Sequence, residues 1–248
     1  MSTLVFGATS TIGHALIENL LKRGQKVVAA GRDHQKLDQL AAKFSVATQI
    51  IDLSQPESFQ SAVSFTVDKF GKLDGVVNLI GSLYLNNCSQ TSFEDWQEVI
   101  DVNLNSCFHV LKASLKPMQK TGGSIVFVTS VASEIGMSNH EAIAAAKAGV
   151  AGLARATAAS YSNRNIRVNC VAPGFTVTEM TRKIWENDQS RQLSESMNPL
   201  GTLGEPQYIS SCISWLLDEE NKWVNGQVIS VDGGMSTVLP KPRARLSS

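Results

Sequence analysis

The stretch from Ser130 to Lys147 places three side chains capable of proton chemistry around an otherwise apolar helix. Lys147 is the only charged residue between Glu141 and Arg155, and an ammonium ion in such apolar surroundings needs a polar partner. His140 lies seven residues earlier, two helical turns away, so both side chains are predicted on one face. Ser130 ends a predicted strand, which is where open α/β sheets bind ligands. The pattern indicates a site for proton transfer beside a small ligand.

The same stretch resembles the signature of the short-chain dehydrogenase/reductases, a serine followed thirteen residues later by Tyr-x-x-x-Lys. Ser130 and Lys147 match, whereas Ile143 stands at the tyrosine position. The resemblance implies that a tyrosine would give a proton to the oxygen of the reduced substrate. The lysine would lower the pKa of that tyrosine, and the serine would orient the carbonyl. Isoleucine supplies no proton, so the proton donor of this chain must be non-standard.

His140 is the candidate replacement. Enoyl-acyl carrier protein reductases, a branch of the same family, have a tyrosine seven residues before the lysine, and His140 occupies that place. Imidazole exchanges protons near neutral pH, and a neutral ring can still donate one hydrogen bond. The alternative is an exposed residue of the first helical turn, because Ser138 and Glu141 predict a capping box with His140 at position N2.

Short apolar runs alternate with longer amphipathic segments along the chain. We predict strands over 3–6, 26–30, 48–51, 74–80, 123–130, 166–172 and 227–231, and helices over 11–23, 34–44, 55–70, 92–118 and 139–161. This alternation predicts a single doubly wound α/β domain of the Rossmann type, with a seven-stranded parallel sheet covered by helices on both faces. The domain is expected to span residues 1–238, with a flexible tail over 239–248. The resemblance extends from residue 3 to about residue 236.

The first predicted strand runs directly into a glycine-containing turn followed by a helix. Glycines in such a turn let the backbone approach a pyrophosphate, and the helix N-terminus offers free N–H groups. The family pattern G-x-x-x-G-x-G is kept except for its middle glycine, which is a threonine. The hydroxyls of the turn are expected to bond phosphate oxygens, although a merely tight turn is the alternative. The predicted phosphate-binding residues are Gly7, Thr9, Ser10, Thr11, Ile12 and Gly13.

The end of the second strand predicts which nicotinamide cofactor is bound. A carboxylate there would bind both ribose hydroxyls, whereas Gly31 leaves space and Arg32 supplies a cation for a 2′-phosphate. NADP is therefore favoured over NAD. The alternatives are a solvated Arg32 and a helix-capping Asp33.

Further residues follow from the resemblance, in the family's order along the chain. It implies that Asp52 and Leu53 meet the adenine, that Asn78 and Gly81 support the cofactor, and that Asn103 holds a water linking the lysine to solvent. The alternative for Asn103 is a helix residue that bonds to nearby backbone. A Pro-Gly segment would lie against the nicotinamide carboxamide. The residues from there to about Met197 mix apolar with many polar side chains, which is typical of a mobile substrate lid or of an ordinary surface helix pair. The residues implied for the carboxamide are Pro173, Gly174, Thr176 and Thr178.

Composition limits the partners. The 22 basic and 22 acidic residues of the 248-residue chain balance, so we expect neither nucleic acid nor an anionic membrane surface. No apolar run approaches the ~18 residues of a membrane span, and we expect a cytoplasmic protein. The four cysteines and four histidines lack metal-ligand spacing, so no metal is predicted, and the cysteines are expected to be buried thiols. The resemblance implies a homodimer or homotetramer that pairs through 92–118 and 139–161.

These observations predict an NADP-dependent oxidoreductase that moves a hydride between nicotinamide and a carbonyl or enoyl substrate. Ser130, Lys147, Asn103 and His140 are the predicted catalytic residues. A catalytically silent NADP(H)-binding sensor or scaffold of the same fold is the alternative, since Ile143 replaces the tyrosine. An inactive fold without cofactor is a third possibility.

Overall fold

The computed structural model describes residues 1–240 and contains one parallel sheet of seven strands. The strands are β1 (Ser2–Phe6), β2 (Lys26–Gly31), β3 (Ala47–Ile50), β4 (Gly75–Asn78), β5 (Gly123–Val128), β6 (Ile166–Pro173) and β7 (Val228–Val231). Their order across the sheet is β3-β2-β1-β4-β5-β6-β7. All seven predicted strands are present, and the doubly wound fold class is confirmed. Residues 241–248 of the predicted tail lie outside the described part.

Nine α-helices connect or follow the described strands. They are α1 (Thr11–Lys22), α2 (His34–Phe44), α3 (Pro56–Phe70), α4 (Phe93–Ile100), α5 (Ser106–Met118), α6 (Glu141–Tyr161), α7 (Arg182–Trp185), α8 (Asp188–Ser196) and α9 (Pro206–Leu217). The helix predicted over 92–118 is divided by a wider π-helical turn, Asp101–Asn105. None of the helices in residues 1–240 is both long and apolar enough to cross a bilayer.

Two apolar layers hold the helices against the sheet. Side chains alternate between the faces of a strand, so Leu4 and Phe6 enter one layer and Val5 enters the other. The first layer contains residues of α3, α5 and α6, and the second contains residues of α1, α2 and α9. Both faces of the sheet are therefore covered, as the near-continuous apolar strands require.

The direction of chain winding reverses between β1 and β4. Phe6 pairs with Asn78, and Asn78 pairs with Phe127 of β5, so three neighbouring strands end at the same level. The segments that leave them must diverge around a crevice, which is the usual ligand site of such sheets.

The start of α6 differs from the sequence prediction. The helix begins at Glu141, and His140 is its N-cap residue without a side-chain capping bond. The predicted capping box of Ser138 and Glu141 is therefore wrong. Asn139 has a positive φ of 61°, which turns the chain between Ser138 and the helix and keeps the serine away from the first turn.

Gly7 shows how closely the first turn approaches the neighbouring strand. Its φ is +71°, and a Cβ at this position would lie 2.7 Å from the backbone carbon of Leu79. Gly24 has nearly the same φ, +70°, but open space around its Cα. Alanine substitutions at the two glycines therefore separate two contributions to the free energy of unfolding: the left-handed backbone conformation and the steric crowding around the added Cβ.

We therefore expect Gly7→Ala to destabilise the protein more than Gly24→Ala. The left-handed conformation alone costs about 1–2 kcal/mol with a Cβ, and overpacking against backbone adds roughly 1–3 kcal/mol at Gly7. Urea unfolding followed by circular dichroism measures both changes. Equal losses in the two variants would contradict the crowding argument.

Candidate active site

A cavity of about 810 Å³ opens at the carboxyl ends of the central strands. It is bounded by the first turn of α1, the segments after β4, β5 and β6, the start of α6, and the α7–α8 region. Of the predicted catalytic residues, Ser130, His140 and Lys147 line it, whereas Asn103 lies behind its wall. Its apolar wall includes Leu83, Leu85, Ile135, Met137, Phe175, Met180, Ile184, Leu193 and Met197.

Lys147 is an almost buried cation at the base of this cavity. Only 7% of the residue is exposed, and its Nζ donates to the carbonyl oxygen of Val128, 3.0 Å away at the end of β5. No carboxylate pairs with it among the described residues. Burial in apolar surroundings therefore lowers the pKa of the ammonium group. The ammonium retains hydrogen-bonding capacity for a ligand in the cavity.

Asn103 is fully buried in the π-helical turn, and its amide is hydrogen-bonded on both sides. Its Nδ2 donates to Ser82 Oγ at 2.9 Å and to the Val99 carbonyl at 3.0 Å. Its Oδ1 accepts the backbone N–H of Ser82 at 3.1 Å. The side chain therefore fixes the segment after β4, a role that the family pattern did not indicate.

Ser130 follows β5 and caps a short 3₁₀ turn. Its Oγ accepts the backbone N–H of Ala132 at 3.2 Å, which fixes the oxygen at the cavity wall. The hydroxyl hydrogen has no acceptor among residues 1–240, so it is available to a ligand.

The apolar side chain of Ile143 occupies the position where the family has its tyrosine. It is 4% exposed, lines the cavity, and belongs to an apolar cluster with Val99, Ala142 and Ala146. Tyr84 packs against this cluster, but its hydroxyl contacts Asp95 at 3.2 Å and the residue does not line the cavity. Tyr84 is therefore no substitute for the tyrosine.

The ring of His140 is oriented by one hydrogen bond. Its Nδ1 lies 2.7 Å from the carbonyl oxygen of Ser138. A carbonyl only accepts, so Nδ1 carries the hydrogen, and the Nε2 of a neutral ring is an acceptor. The sequence-based idea that neutral His140 donates to a substrate is thus corrected: only the imidazolium has a hydrogen left to give.

The phosphate turn uses its predicted hydroxyls unequally. Ser10 Oγ donates to the Gly7 carbonyl at 2.8 Å and accepts the Gly13 N–H at 3.1 Å, so it serves as the cap of α1. Thr11 Oγ1 accepts the backbone N–H of Glu179 at 3.1 Å and thereby joins the turn to the segment after β6. The N–H groups of Thr11 and Ile12, at the first turn of α1, point to no acceptor within the described residues.

The residues predicted to bind the adenosine end lie outside the cavity. Arg32 is exposed at the end of β2. Asp52 sits in an exposed turn, where hydrogen bonds from Ser54 and Gln55 lower the pKa of its carboxyl group. Leu53 is half-buried and packs against the first apolar layer. Gly31 adjoins Thr9, so the β2 end and the phosphate turn are neighbours.

Two further predicted segments have mainly internal hydrogen bonds. The buried Asn78 accepts from the Ile80 N–H at 3.1 Å and donates to Ser106 Oγ at 3.2 Å, linking β4 to α5. From the last residue of β6 onward, the predicted Pro173, Gly174, Thr176 and Thr178 all line the cavity. Thr176 Oγ1 donates to the Gly174 carbonyl at 3.0 Å, which leaves its oxygen only as an acceptor.

Thr181 was missed by sequence reasoning. Its Oγ1 donates to the Thr176 carbonyl at 2.7 Å and accepts the Thr178 N–H at 3.1 Å. The hydroxyl therefore shapes the segment that bounds the cavity. The repeated threonines in Thr176-Val177-Thr178-Glu179-Met180-Thr181 were the available signal.

The cysteines and other metal-binding side chains form no alternative centre. No group of three His, Cys, Asp or Glu residues is suitably placed for a metal within the described chain. Cys107 and Cys170 are buried, and desolvation raises their pKa values, that of Cys170 to about 12. Cys88 is exposed and Cys212 is half-buried, so the expectation of four buried thiols is wrong for these two.

The residues at the crevice fit a nicotinamide dinucleotide. The free N–H groups of Thr11 and Ile12 suit a pyrophosphate, and the unpaired Lys147 ammonium suits ribose hydroxyls.

Comparisons with known proteins show the family of the chain. A family model described as Enoyl-(Acyl carrier protein) reductase matches residues 7–236. The 3-oxoacyl-[acyl-carrier-protein] reductase of Vibrio cholerae is 34% identical over 237 residues, which cover 94% of this chain and 96% of the relative. The corresponding reductase of Thermotoga maritima is 35% identical over 238 residues, again 94% and 96% of the two chains.

Solved structures show the same architecture. A short-chain type dehydrogenase/reductase from Mycobacterium ulcerans superposes with a TM-score of 0.91 at 27% identity, covering 95% of this chain and 89% of that one. Levodione reductase superposes with a TM-score of 0.89 at 28% identity, covering 96% and 98%. The chain belongs to the short-chain dehydrogenase/reductase family of nicotinamide-dependent oxidoreductases.

Replacing Lys147 with an uncharged residue tests how much the burial of its ammonium group costs in folding stability. Burial lowers the pKa of Lys147 below the value of about 10.4 expected in the unfolded chain, so the folded protein holds this proton less tightly than the unfolded chain does. The resulting cost to stability shrinks as the pH rises and is lost above the unfolded pKa. We therefore expect Lys147→Met to be at least as stable as the wild type at pH 7. Its advantage should shrink toward pH 10.

Unfolding in urea at a series of pH values measures this difference. Lys112→Met, at an exposed position of α5, is the control and should show no such trend. A constant difference between wild type and Lys147→Met from pH 7 to pH 10 would refute the argument.

Proposed function

We propose that this protein is an NADP-dependent reductase of carbonyl or enoyl compounds. The observation that carries the proposal is the buried, unpaired Lys147 ammonium, which lines the same cavity as Ser130 and the first turn of α1. A bound nicotinamide cofactor supplies the hydride. The relatives are named as 3-oxoacyl-[acyl-carrier-protein] reductases. These names support a ketone within an acyl chain as the substrate type.

The protein's own residues divide the remaining work. Lys147 binds the cofactor ribose, Ser130 donates a hydrogen bond to the substrate oxygen, and Asn103 holds the segment after β4 in place. His140 is the acid, and it acts as the imidazolium because its Nδ1 hydrogen is held by Ser138. In the reverse direction the neutral ring accepts a proton at Nε2.

The preference for NADP follows from Gly31 and Arg32. The exposed guanidinium at the end of β2 has no carboxylate partner within residues 1–240, so it is free to meet a 2′-phosphate. Asp33 does not oppose it, because its side chain caps α2 through the Lys36 N–H.

We also propose a homodimer or homotetramer. Helix α6 exposes a row of small residues, and α4 and α5 expose the large apolar side chains of Phe93 and Phe108. The small exposed residues are Ala145, Ala148, Gly152, Ala156 and Ala159. The single domain over 1–238 and the cytoplasmic location stay predictions.

Cofactor titration tests the first part of the proposal. We expect NADPH fluorescence to change on binding and NADPH to bind more tightly than NADH. Arg32→Ala should weaken NADPH binding by about 10- to 100-fold, because a charged hydrogen bond contributes roughly 1.5–3 kcal/mol. The affinity for NADH should stay nearly unchanged. Arg23→Ala, at an exposed arginine after α1, is the control. No fluorescence change with either nucleotide would contradict the cofactor assignment.

Turnover tests the reaction and its acid. With NADPH, a panel of ketones, aldehydes, quinones and enoyl thioesters should include substrates, and His140→Ala should lower kcat by about 100-fold or more. His34→Ala is the matched control, since His34 is exposed on α2.

Two outcomes would count against this account. Tight NADPH binding with no turnover of any panel member would favour the silent sensor or scaffold. Turnover that survives His140→Ala unchanged would remove the histidine from the proton step. Ile143→Tyr then shows whether the ancestral donor position still accepts a tyrosine.

A further inference from the structure

We propose that Ser82 supplies the second hydroxyl of the active site, so that Ser82 and Ser130 together bind the oxygen that becomes negatively charged. This inference rests on the proposed function and specifies how the site works without the family's tyrosine. Ser82 was not among the residues that the sequence indicated.

The first support is the hydrogen bonding of Ser82. Its Oγ accepts a hydrogen from Asn103 Nδ2 at 2.9 Å, and its backbone N–H is held by Asn103 Oδ1 at 3.1 Å. Asn103 is itself fully buried and bonded to the Val99 carbonyl, so it cannot turn away. The Ser82 hydrogen has no acceptor among the described residues, and Ser82 lines the cavity. The hydroxyl is thus fixed at its oxygen and free to donate.

Ser130 has the same arrangement. Its oxygen accepts one N–H, that of Ala132, and its hydrogen has no acceptor within the described chain. Two hydroxyls whose oxygens are already held by fixed N–H donors are preorganised to donate to a third oxygen. The family pairs a serine with a tyrosine, whereas this chain would pair two serines.

The sheet brings the two serines to neighbouring positions. Asn78 of β4 pairs with Phe127 of β5, so Ser82 lies four residues and Ser130 three residues beyond a paired position on adjacent strands. Parallel strands are about 4.8 Å apart. Both side chains line the one cavity.

Lys147 connects the same two strand ends. Its Nζ bonds to Val128 at the end of β5, and a methyl group built on Gly81 would lie 3.4 Å from this Nζ and 3.1 Å from Asn103 Oδ1. The positive charge therefore lies beside both serine-bearing segments. When the substrate carbon gains a hydride, the C=O π electrons move to oxygen, and this oxygen gains its charge next to two hydroxyl donors and an ammonium group.

The proton is a separate requirement. Neither serine is consumed: each donates a hydrogen bond, and the proton that neutralises the product comes from the His140 imidazolium of the proposed function. Ile143 contributes by keeping water from the oxygen, because its side chain fills the position of the tyrosine with hydrocarbon.

Kinetics of Ser82→Ala with saturating NADPH test the inference. We expect kcat to fall by about 100- to 1,000-fold, as for loss of one donor to a developing oxyanion, with little change in KM or in NADPH affinity. Ser89→Ala, an exposed serine of the same segment, should match the wild type.

A second pair guards against misfolding, since Ser82→Ala leaves Asn103 Nδ2 without one acceptor. Ser82→Thr and Ser82→Val have nearly the same shape and differ in the hydroxyl, so the Thr variant should retain activity and the Val variant should lose it. Equal kcat for the Thr and Val variants, with the wild type active, would overturn this inference alone. A wild-type protein that binds NADPH but turns over nothing would overturn the proposed function and this inference together.

Discussion

The site is organised around one buried ammonium ion without a carboxylate partner. Lys147 is held at the end of β5 by the Val128 carbonyl, inside a helix whose other cavity-facing residues are apolar. Removing that charge from water costs free energy, and only a polar ligand in the cavity recovers it in full. The alanine-rich sequence of α6 keeps competing side chains away, and the switch in sheet order places the lysine where three strand ends meet. The binding site is thus a consequence of a charge that the fold leaves partly unsatisfied.

The replacement of the family's tyrosine by Ile143 changes how negative charge and proton are handled. A tyrosine both stabilises the developing oxyanion and supplies the proton, through one hydroxyl. In the proposed mechanism the two tasks fall to different groups: hydroxyls held by N–H donors face the cavity, and His140, which also lines the cavity, supplies the proton. Separation of this kind suits an enolate, because its charge is spread over carbon and oxygen and depends less on a proton donor at the oxygen than the localised charge of an alkoxide does.

The segment after β6 forms another wall of the cavity. Thr181 binds the backbone at Thr176 and Thr178, and the Thr11 hydroxyl accepts the Glu179 N–H. The threonine at the middle-glycine position of the predicted phosphate turn therefore joins that turn to the segment after β6.

The sequence by itself determined the fold class, the seven strands and several of the residues that line the cavity, but it did not indicate Ser82 or Thr181. The features that it determined depend on local patterns: apolar runs of strand length, a glycine turn after the first strand, and a lone lysine on an apolar helix. The tertiary structure alone decided how the hydrogens are used. Three contacts show this: Ser10 caps its own helix, the ring of His140 donates to Ser138, and Asn103 binds Ser82. Each contact depends on distances set within a few tenths of an ångström. Asn139 has a left-handed backbone conformation, and α6 begins only after it, at Glu141. Spacing along the chain fixes which face a residue occupies, whereas the donor or acceptor role of a side chain depends on partners that only folding brings within hydrogen-bonding distance.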